Sequence, residues 1–199
     1  MKLLLVGAHG TLGRAVAAEL GARHELVAAG RSAGDVRLDL TDPDGIAAAL
    51  DRVGPLDGVI AAAGNVAFGP LLELTPEQWA LGLQDKLMGQ VRLARLAATR
   101  LNDGGSITLT TGVLAQDPIR YGASASLVNG AIEGFVRSAA LELPRGLRIN
   151  AVSPGVLAES MPGYAPYFRG FEPVPAARAA LGYGRSVEGA QTGQVYRVG

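Results

Sequence analysis

Short apolar runs alternate with helix-length segments along most of the chain, and this alternation constrains the fold more than any other feature. The runs read KLLLVG, HELVAAG, VRLDL, DGVIAAAG, SITLTT, LRINAVSPG and QVYRVG. Unbroken apolar runs predict strands buried on both faces, and helical connections between them require parallel strands. The helices are expected at 11–20, 43–51, 75–101 and 122–143. We therefore predict a doubly wound, Rossmann-type α/β fold, with helices on both faces of a parallel sheet, in one domain over residues 1–199.

Composition narrows the possible partners. The 199 residues include 18 Lys plus Arg, 18 Asp plus Glu, two His and no Cys. A net charge of zero favours neither nucleic acid nor an anionic membrane, and the absence of Cys excludes thiolate metal sites. No apolar run reaches the roughly 20 residues of a membrane span. We therefore expect a protein that acts on a small molecule without a metal. We also expect it to be cytoplasmic, because the first strand begins at Lys2 and leaves no room for a leader.

Residues 156–185 form the one stretch without a regular pattern. They concentrate Pro, Gly and the aromatic residues Tyr164, Tyr167, Phe168 and Phe171. An irregular stretch on a rigid scaffold is typical of a lid or substrate segment, and its rings suit a hydrophobic or aromatic carbonyl compound. The same rings can instead form an oligomer contact or a small packed cluster.

The glycine-rich stretch GAHGTLG follows the first predicted strand and opens the first helix. Its glycines let the backbone approach a pyrophosphate, which the N–H groups and the positive end of the helix then hold. A tight turn with no ligand is the alternative, but the position directly after the first strand favours a dinucleotide. The predicted contacts are Gly7, His9, Gly10, Thr11, Leu12 and Gly13.

The end of the second predicted strand indicates which dinucleotide is bound. A site selective for NAD(H) usually has a carboxylate here, but the strand ends with Gly30, followed by Arg31 and Ser32. A guanidinium at this position can pair with a 2′-phosphate, so we predict NADP(H) as the cofactor. The alternative is that Arg31 is an ordinary solvated side chain.

Several stretches in a fixed order resemble the short-chain dehydrogenase/reductases: GAHGTLG, GRS, LDLTD, AAAG at 61–64, SAALELPRGLRINAVSPG at 138–155 and TGQVYRV at 192–198. The resemblance runs nearly end to end and implies a nicotinamide-dependent oxidoreductase. It also implies that Asp39 and Leu40 border the adenine and that Pro154 and Gly155 face the nicotinamide. The residues that would line the adenosine ribose are Ala61, Ala62, Ala63 and Gly64.

The same resemblance shows where the reactive groups of that family are replaced. The ungapped match over AIEGFVRSAALELPRGLRINAVSPG puts Ala125 at the position of the Tyr acid/base and Asn129 at that of the Lys four residues later. Gly112 then stands for the usual Ser, and Lys86 for the usual Asn. Glu159, next to Ser160, occupies the position of a nicotinamide-contacting Thr. The usual proton relay is therefore not expected to operate.

Three residues are candidates for a rebuilt catalytic site: Lys86, Tyr121 and Thr111. If the helix begins at Asp117-Pro118, Tyr121 lies on the face of Ala125 about one turn, roughly 5.4 Å, away. If Ser124 caps the helix, Tyr121 is in a loop. Lys86 can lower the pKa of a phenol or stabilise a developing alkoxide, or it can be a surface cation near Asp85.

Three functions stay open at this point. In the first, the chain is an NADP(H)-dependent reductase with a moved acid. In the second, it transfers hydride with little acid help or catalyses a non-redox isomerisation or cyclisation. In the third, it binds NADP(H) as a sensor or a structural cofactor and catalyses nothing. We also expect a homodimer or homotetramer built through helices 75–101 and 122–143, because small residues on the latter allow close helix approach. Alternatively, these small residues only pack against the sheet.

Overall fold

A computed structural model describes residues 1–199 and contains one seven-stranded sheet in which all neighbouring strands are parallel. The strands are β1 Lys2–Val6, β2 Glu25–Gly30, β3 Val36–Arg37, β4 Leu56–Ala61, β5 Leu101–Thr110, β6 Arg148–Pro154 and β7 Val195–Val198. Their order is β3-β2-β1-β4-β5-β6-β7. The chain reverses its direction across the sheet between β1 and β4, where Val6 pairs with Ala61. A parallel sheet of this kind binds ligands at the carboxyl ends of its strands, beside that reversal.

Helices cover both faces of the sheet. They are α1 Thr11–Gly21, α2 Pro43–Val53, α3 Pro76–Leu81, α4 Met88–Ala98, α5 Ala123–Glu142, α6 Met161–Tyr164 and α7 Ala176–Glu188. A π turn, Gly82–Leu87, joins α3 to α4, so the predicted helix 75–101 is continuous from Pro76 to Ala98 but locally widened. Its predicted end is wrong, because Leu101 already begins β5. The doubly wound fold predicted from the apolar runs is confirmed.

Two apolar cores hold the helices to the sheet. The larger has 24 buried residues and lies beneath α2, α4 and α5, whereas the smaller has 10 and lies beneath α1 and α7. Burial of this apolar surface is the main favourable contribution to folding. Packing on both faces of the sheet therefore holds the carboxyl ends of the strands, where a ligand is expected, in place. No helix is both long and apolar enough to span a membrane.

The prediction of an irregular segment over 156–185 is wrong for its last third. Residues 176–185 belong to α7, whose Ala179, Ala180, Tyr183 and Val187 are buried at helical spacing. Two glycines weaken the local helical signal, but Gly182 is needed because a Cβ there would lie 2.9 Å from Val152 Cγ1 on the sheet. Tertiary packing thus outweighs the low helix propensity of glycine. We call the remaining residues 156–175 the lid segment.

Candidate active site

The loop after β1 has the close backbone approach that a phosphate-binding turn requires. Gly7 has φ +86°, and a Cβ on it would lie 2.6 Å from the Ala62 carbonyl oxygen. A Cβ on Gly13 would collide with the Gly7 carbonyl, so α1 packs directly against the loop. Only glycine fits these two positions.

The N-terminus of α1 is left free for an anion. Its N-cap is Gly10, which supplies no capping side chain, and its first turn has no acidic residue. The neighbouring α2 differs, because the Asp42 side chain accepts hydrogen bonds from the backbone N–H groups of Asp44 and Gly45. The first N–H groups of any helix lack partners within the helix. Those of Thr11, Leu12 and Gly13 are thus available to a pyrophosphate.

A cleft of about 200 Å³ lies between this loop and the ends of β2 and β4. Eight of the predicted cofactor residues line it: Gly7, His9, Gly10, Arg31, Ser32, Leu40, Ala63 and Gly64. The exposed side chain of Arg31 lies at the end of β2, where the sequence predicted it. These residues fit a dinucleotide with a phosphate near Arg31.

Other predicted cofactor residues lie beside the cleft and do not line it. Thr11, Leu12 and Gly13 begin α1, and Ala61 and Ala62 end β4 or follow it. Asp39 also does not line the cleft. Its carboxylate accepts hydrogen bonds from the Thr41 backbone N–H and hydroxyl at 2.9 and 2.8 Å, which lower its pKa.

A second cavity, of about 250 Å³, begins where the cleft ends, and Gly64 lines both. Pro154 and Gly155, which the family resemblance predicts to face a nicotinamide, line it. All four positions at which the family resemblance places reactive groups line this cavity too: Lys86, Gly112, Ala125 and Asn129. We call it the reaction cavity.

Lys86 enters the reaction cavity from the π turn. Its stem packs on Gly64, where a Cβ would lie 2.7 Å from Lys86 Cγ. Its Nζ donates to Asn129 Oδ1 at 2.7 Å and to the Thr111 carbonyl at 3.4 Å. Single π turns inside α-helices occur frequently at functional sites. Here the widened turn directs the ammonium group across the cavity to α5.

The ammonium group of Lys86 is poorly solvated although part of the side chain faces the cavity. Surrounding protein atoms lower its pKa from 10.5 to about 8 by desolvation. The carboxylate of the adjacent Asp85 accepts hydrogen bonds from the Asn65 backbone and side chain and forms no ion pair with Lys86. Among the residues lining the cavity, Lys86 is the only cationic side chain and Tyr164 the only phenol, and no carboxylate is present.

The prediction that Tyr121 shares a helix face with Ala125 is wrong. Helix α5 begins at Ala123, and Tyr121 lies in the preceding loop with φ +68°. Its carbonyl accepts from the Gly69 N–H at 3.0 Å, which holds this unusual conformation. Its ring packs on Tyr167 and does not line the reaction cavity. The alternative that placed Tyr121 in a loop is correct, although Gly122, and not Ser124, is the N-cap.

Tyr164 is the phenol that lines the reaction cavity, and the sequence patterns did not single it out as a catalytic candidate. It ends α6 in the lid segment, where its ring packs edge-on against Phe68 and Phe168 with centroids 5.7 and 6.0 Å away. Thr111 also lines the cavity, but its hydroxyl donates to the Asn129 carbonyl at 3.0 Å. Thr111 therefore steadies α5 beside Lys86.

Glu159 points away from the reaction cavity. Both of its carboxylate oxygens lie 3.0 Å from the Ala176 backbone nitrogen at the start of α7. A carboxylate at a helix N-terminus is stabilised by the unpaired N–H groups and the helix dipole. Glu159 thus ties the lid segment to α7, while its neighbour Ser160 lines the cavity.

Comparisons with known proteins agree with this geometry. A family model described as enoyl-(acyl carrier protein) reductase matches residues 7–196. A versicolorin reductase from Emericella nidulans is 30% identical over 183 residues, which cover 79% of this chain and 69% of the relative.

Two solved structures extend the likeness to the whole chain. The protein lin1944 from Listeria innocua is 51% identical, with a TM-score of 0.98 and complete coverage of both chains. A small-chain dehydrogenase in complex with NADPH is 25% identical, with a TM-score of 0.89 over 100% of this chain and 96% of that one. The chain therefore belongs to the short-chain dehydrogenase/reductase family.

Proposed function

We propose that this protein is an atypical NADP(H)-dependent reductase of carbonyl compounds whose proton relay is rebuilt around Lys86. The observation that carries the proposal is the 2.7 Å hydrogen bond from Lys86 Nζ to Asn129 Oδ1 inside the reaction cavity. By the family resemblance, Lys is expected at 129 and Asn at 86. The two residue types are exchanged relative to that expectation, and in this chain they contact each other between the π turn and α5.

NADP(H) is the proposed cofactor. Arg31 and Ser32 line the cleft just after β2, where we expect the 2′-phosphate, and no carboxylate ends β2. The solved relative in complex with NADPH supports this choice. When bound, the cofactor supplies the hydride. The residues that would hold it are the α1 N-terminus, Arg31, Ser32, Pro154 and Gly155.

Lys86 stabilises the negative charge that develops on the substrate oxygen. An ammonium group in a poorly solvated cavity does this more strongly than one in water. Asn129 and the Thr111 carbonyl hold Lys86 in place, and they are neutral acceptors that leave its charge uncompensated. A proton from Lys86 or from Tyr164 completes the alcohol.

The proposed substrate is a hydrophobic or aromatic aldehyde or ketone. Phe68, Tyr164 and Phe168 form an aromatic wall of the reaction cavity, and Val66 and Val156 add aliphatic surface. Flat apolar compounds suit such a wall, and a few polar groups then orient the reactive carbonyl. We further propose that residues 1–199 act as one domain and that the lid segment forms the substrate side of the cavity.

Stopped-flow measurement of NADPH oxidation by a panel of aromatic and aliphatic carbonyl compounds tests the proposal. We expect turnover with aromatic aldehydes or ketones, and a loss of about a hundredfold or more in Lys86→Met. Arg52→Ala, an exposed position on α2, is the control for non-specific effects. Tight NADPH binding without turnover would favour the sensor alternative, and turnover unchanged in Lys86→Met would favour hydride transfer without this group.

A further inference from the structure

Lysine is rare in this chain, and one of its two lysines lies in the reaction cavity. Of the 18 cationic side chains, 16 are Arg and only Lys2 and Lys86 are Lys. Arginine stays charged at any physiological pH, whereas lysine can lose its proton and then act as a nucleophile. Apart from Lys2, the chain uses arginine for its other cationic side chains, and the one that lines the reaction cavity is a lysine.

The surroundings of Lys86 favour a reactive amine. Its two hydrogen-bond partners, Asn129 Oδ1 and the Thr111 carbonyl, are neutral, and no carboxylate lines the cavity. A neutral amine can still donate to either partner, so loss of the proton does not break the contact. Lys2 does not line the cavity: its Nζ donates to the Val53 carbonyl at 2.8 Å, at the opposite end of β1 from the cofactor loop.

We propose that the Lys86 amine forms a reversible imine with aldehydes and ketones that enter the reaction cavity. The amine nitrogen attacks the carbonyl carbon, and the oxygen takes up protons and leaves as water. One C=O bond and two N–H bonds are replaced by one C=N bond and the two O–H bonds of water, and no oxidant or reductant takes part. The adduct places the former carbonyl carbon between the aromatic wall and Asn129.

The ionisation of Lys86 supports this reaction. Its pKa of about 8 leaves a substantial fraction of the amine neutral near pH 7.5. At this pH, the neutral fraction of a lysine with an ordinary pKa is smaller by a factor of roughly one hundred or more. Desolvation in an apolar pocket is one of the established ways in which proteins activate lysine.

Imine formation does not depend on the proposed hydride transfer, because it needs no cofactor. An iminium group withdraws electrons from the neighbouring carbon, so the adduct also suits the non-redox chemistry considered from the sequence. Failure of NADPH turnover would therefore leave this inference unaffected.

Trapping with benzaldehyde and sodium cyanoborohydride, in the absence of nicotinamide cofactor, tests the inference. The hydride reagent converts an imine into a stable secondary amine, and peptide mass spectrometry then locates the benzyl group. At pH 7.5 we expect Lys86 to be modified at least about tenfold faster than Lys2, because desolvation in the cavity favours the neutral amine of Lys86. The N-terminal amine provides a check that the reagents are active.

Two variants test whether Lys86 is labelled because its amine is reactive or only because the reagent can reach it. Asn129→Asp keeps the side-chain shape but puts a carboxylate beside Lys86, which favours the ammonium form, so labelling of Lys86 should fall about tenfold. Lys86→Arg should abolish the cavity label while the N-terminal amine still reacts. Equal labelling of Lys86 and Lys2, or no Lys86 label while the N-terminal amine reacts, would overturn the inference. Labelling that Asn129→Asp leaves unchanged would do the same.

Discussion

Lys86 on the π turn donates a 2.7 Å hydrogen bond to Asn129 on α5, across the reaction cavity. The family resemblance places Asn at position 86 and Lys at position 129. In this chain the two residue types are exchanged, so the lysine comes from the π turn and the asparagine from α5. An ammonium group is thereby kept in the cavity, but it approaches from the cofactor side, above Gly64.

Exchanging Lys86 and Asn129 one at a time and then together tests whether activity depends on the hydrogen bond between them or only on the presence of an ammonium group. Asn129→Lys alone places two ammonium groups together, and Lys86→Asn alone removes the charge, so each should lower kcat/KM by about a hundredfold or more. The double variant restores an ammonium–amide contact and should recover activity to within about tenfold of the wild type, showing strong coupling. Steady-state NADPH oxidation measures all four proteins. Additive losses would mean that the two residues act independently.

Stability should depend on pH through Lys86. Its pKa is about 8 when folded and about 10.5 when unfolded, so between these values the unfolded chain binds more protons and folding is favoured as pH rises. The difference in unfolding free energy between wild type and Lys86→Met should therefore increase by about 1–3 kcal/mol from pH 7 to pH 10.5, allowing for water in the open cavity. Urea denaturation of both proteins at each pH measures it, and other titrating groups cancel. A constant difference would show that Lys86 is well solvated.

Tyr164 should matter for turnover and Tyr121 should not. Tyr164 lines the reaction cavity, whereas Tyr121 packs outside it with its ring against Tyr167 and the Arg120 guanidinium 4.8 Å from the ring centre. If Tyr164 supplies the proton, Tyr164→Phe should reduce kcat by about a hundredfold with little change in NADPH affinity. Tyr121→Phe is the matched control and should stay near the wild type. Equal activity of both variants would leave Lys86 as the proton donor.

The site shows which parts of this structure local sequence determines. The glycine turn around Gly7 and the arginine after β2 were predictable, because each is fixed by its position after a strand. The conformation of Tyr121 was not, because it depends on a hydrogen bond from Gly69, which is distant in sequence. The direction of Glu159 depends likewise on where α7 begins.

The Lys86–Asn129 contact lies between these cases. Both residues were identified from the sequence as replacements, but their hydrogen bond requires the π turn to direct Lys86 toward α5. No residue pattern in GLQDKL signals such a turn. Tyr164 was overlooked as a catalytic candidate because the irregular lid segment gives no periodicity from which to infer which ring faces the cavity.

NADPH should bind in clear preference to NADH, through Arg31. The exposed Arg31 lines the cofactor cleft beside Ser32 and has no salt-bridge partner in the protein. Arg31→Ala should weaken NADPH binding by about 1.5–3 kcal/mol, as expected for a charge-assisted hydrogen bond, and leave NADH binding nearly unchanged. Calorimetric titration of both cofactors into wild type, Arg31→Ala and the control Arg52→Ala measures this. Equal affinities of the wild type for the two cofactors would contradict it.

Helix α5 should form a contact between copies of the chain. Gly130 and Gly134 are exposed, and a Cβ on either would meet no atom within 4 Å, so these glycines do not serve packing against the sheet. Leu127 and Leu141 flank them at helical spacing and are 49% and 88% exposed. Such an open helix face, with glycines at its centre and leucines on either side, allows a second helix to approach closely, which fits a homodimer or a homotetramer with closed symmetry. Light scattering at micromolar concentration should give a mass of two or four chains, and Gly134→Arg should shift it to one chain by adding bulk and charge at the centre of the face. Ala48→Glu, at an exposed position of α2, should leave the mass unchanged. A monomeric wild type would show that this face is free in solution.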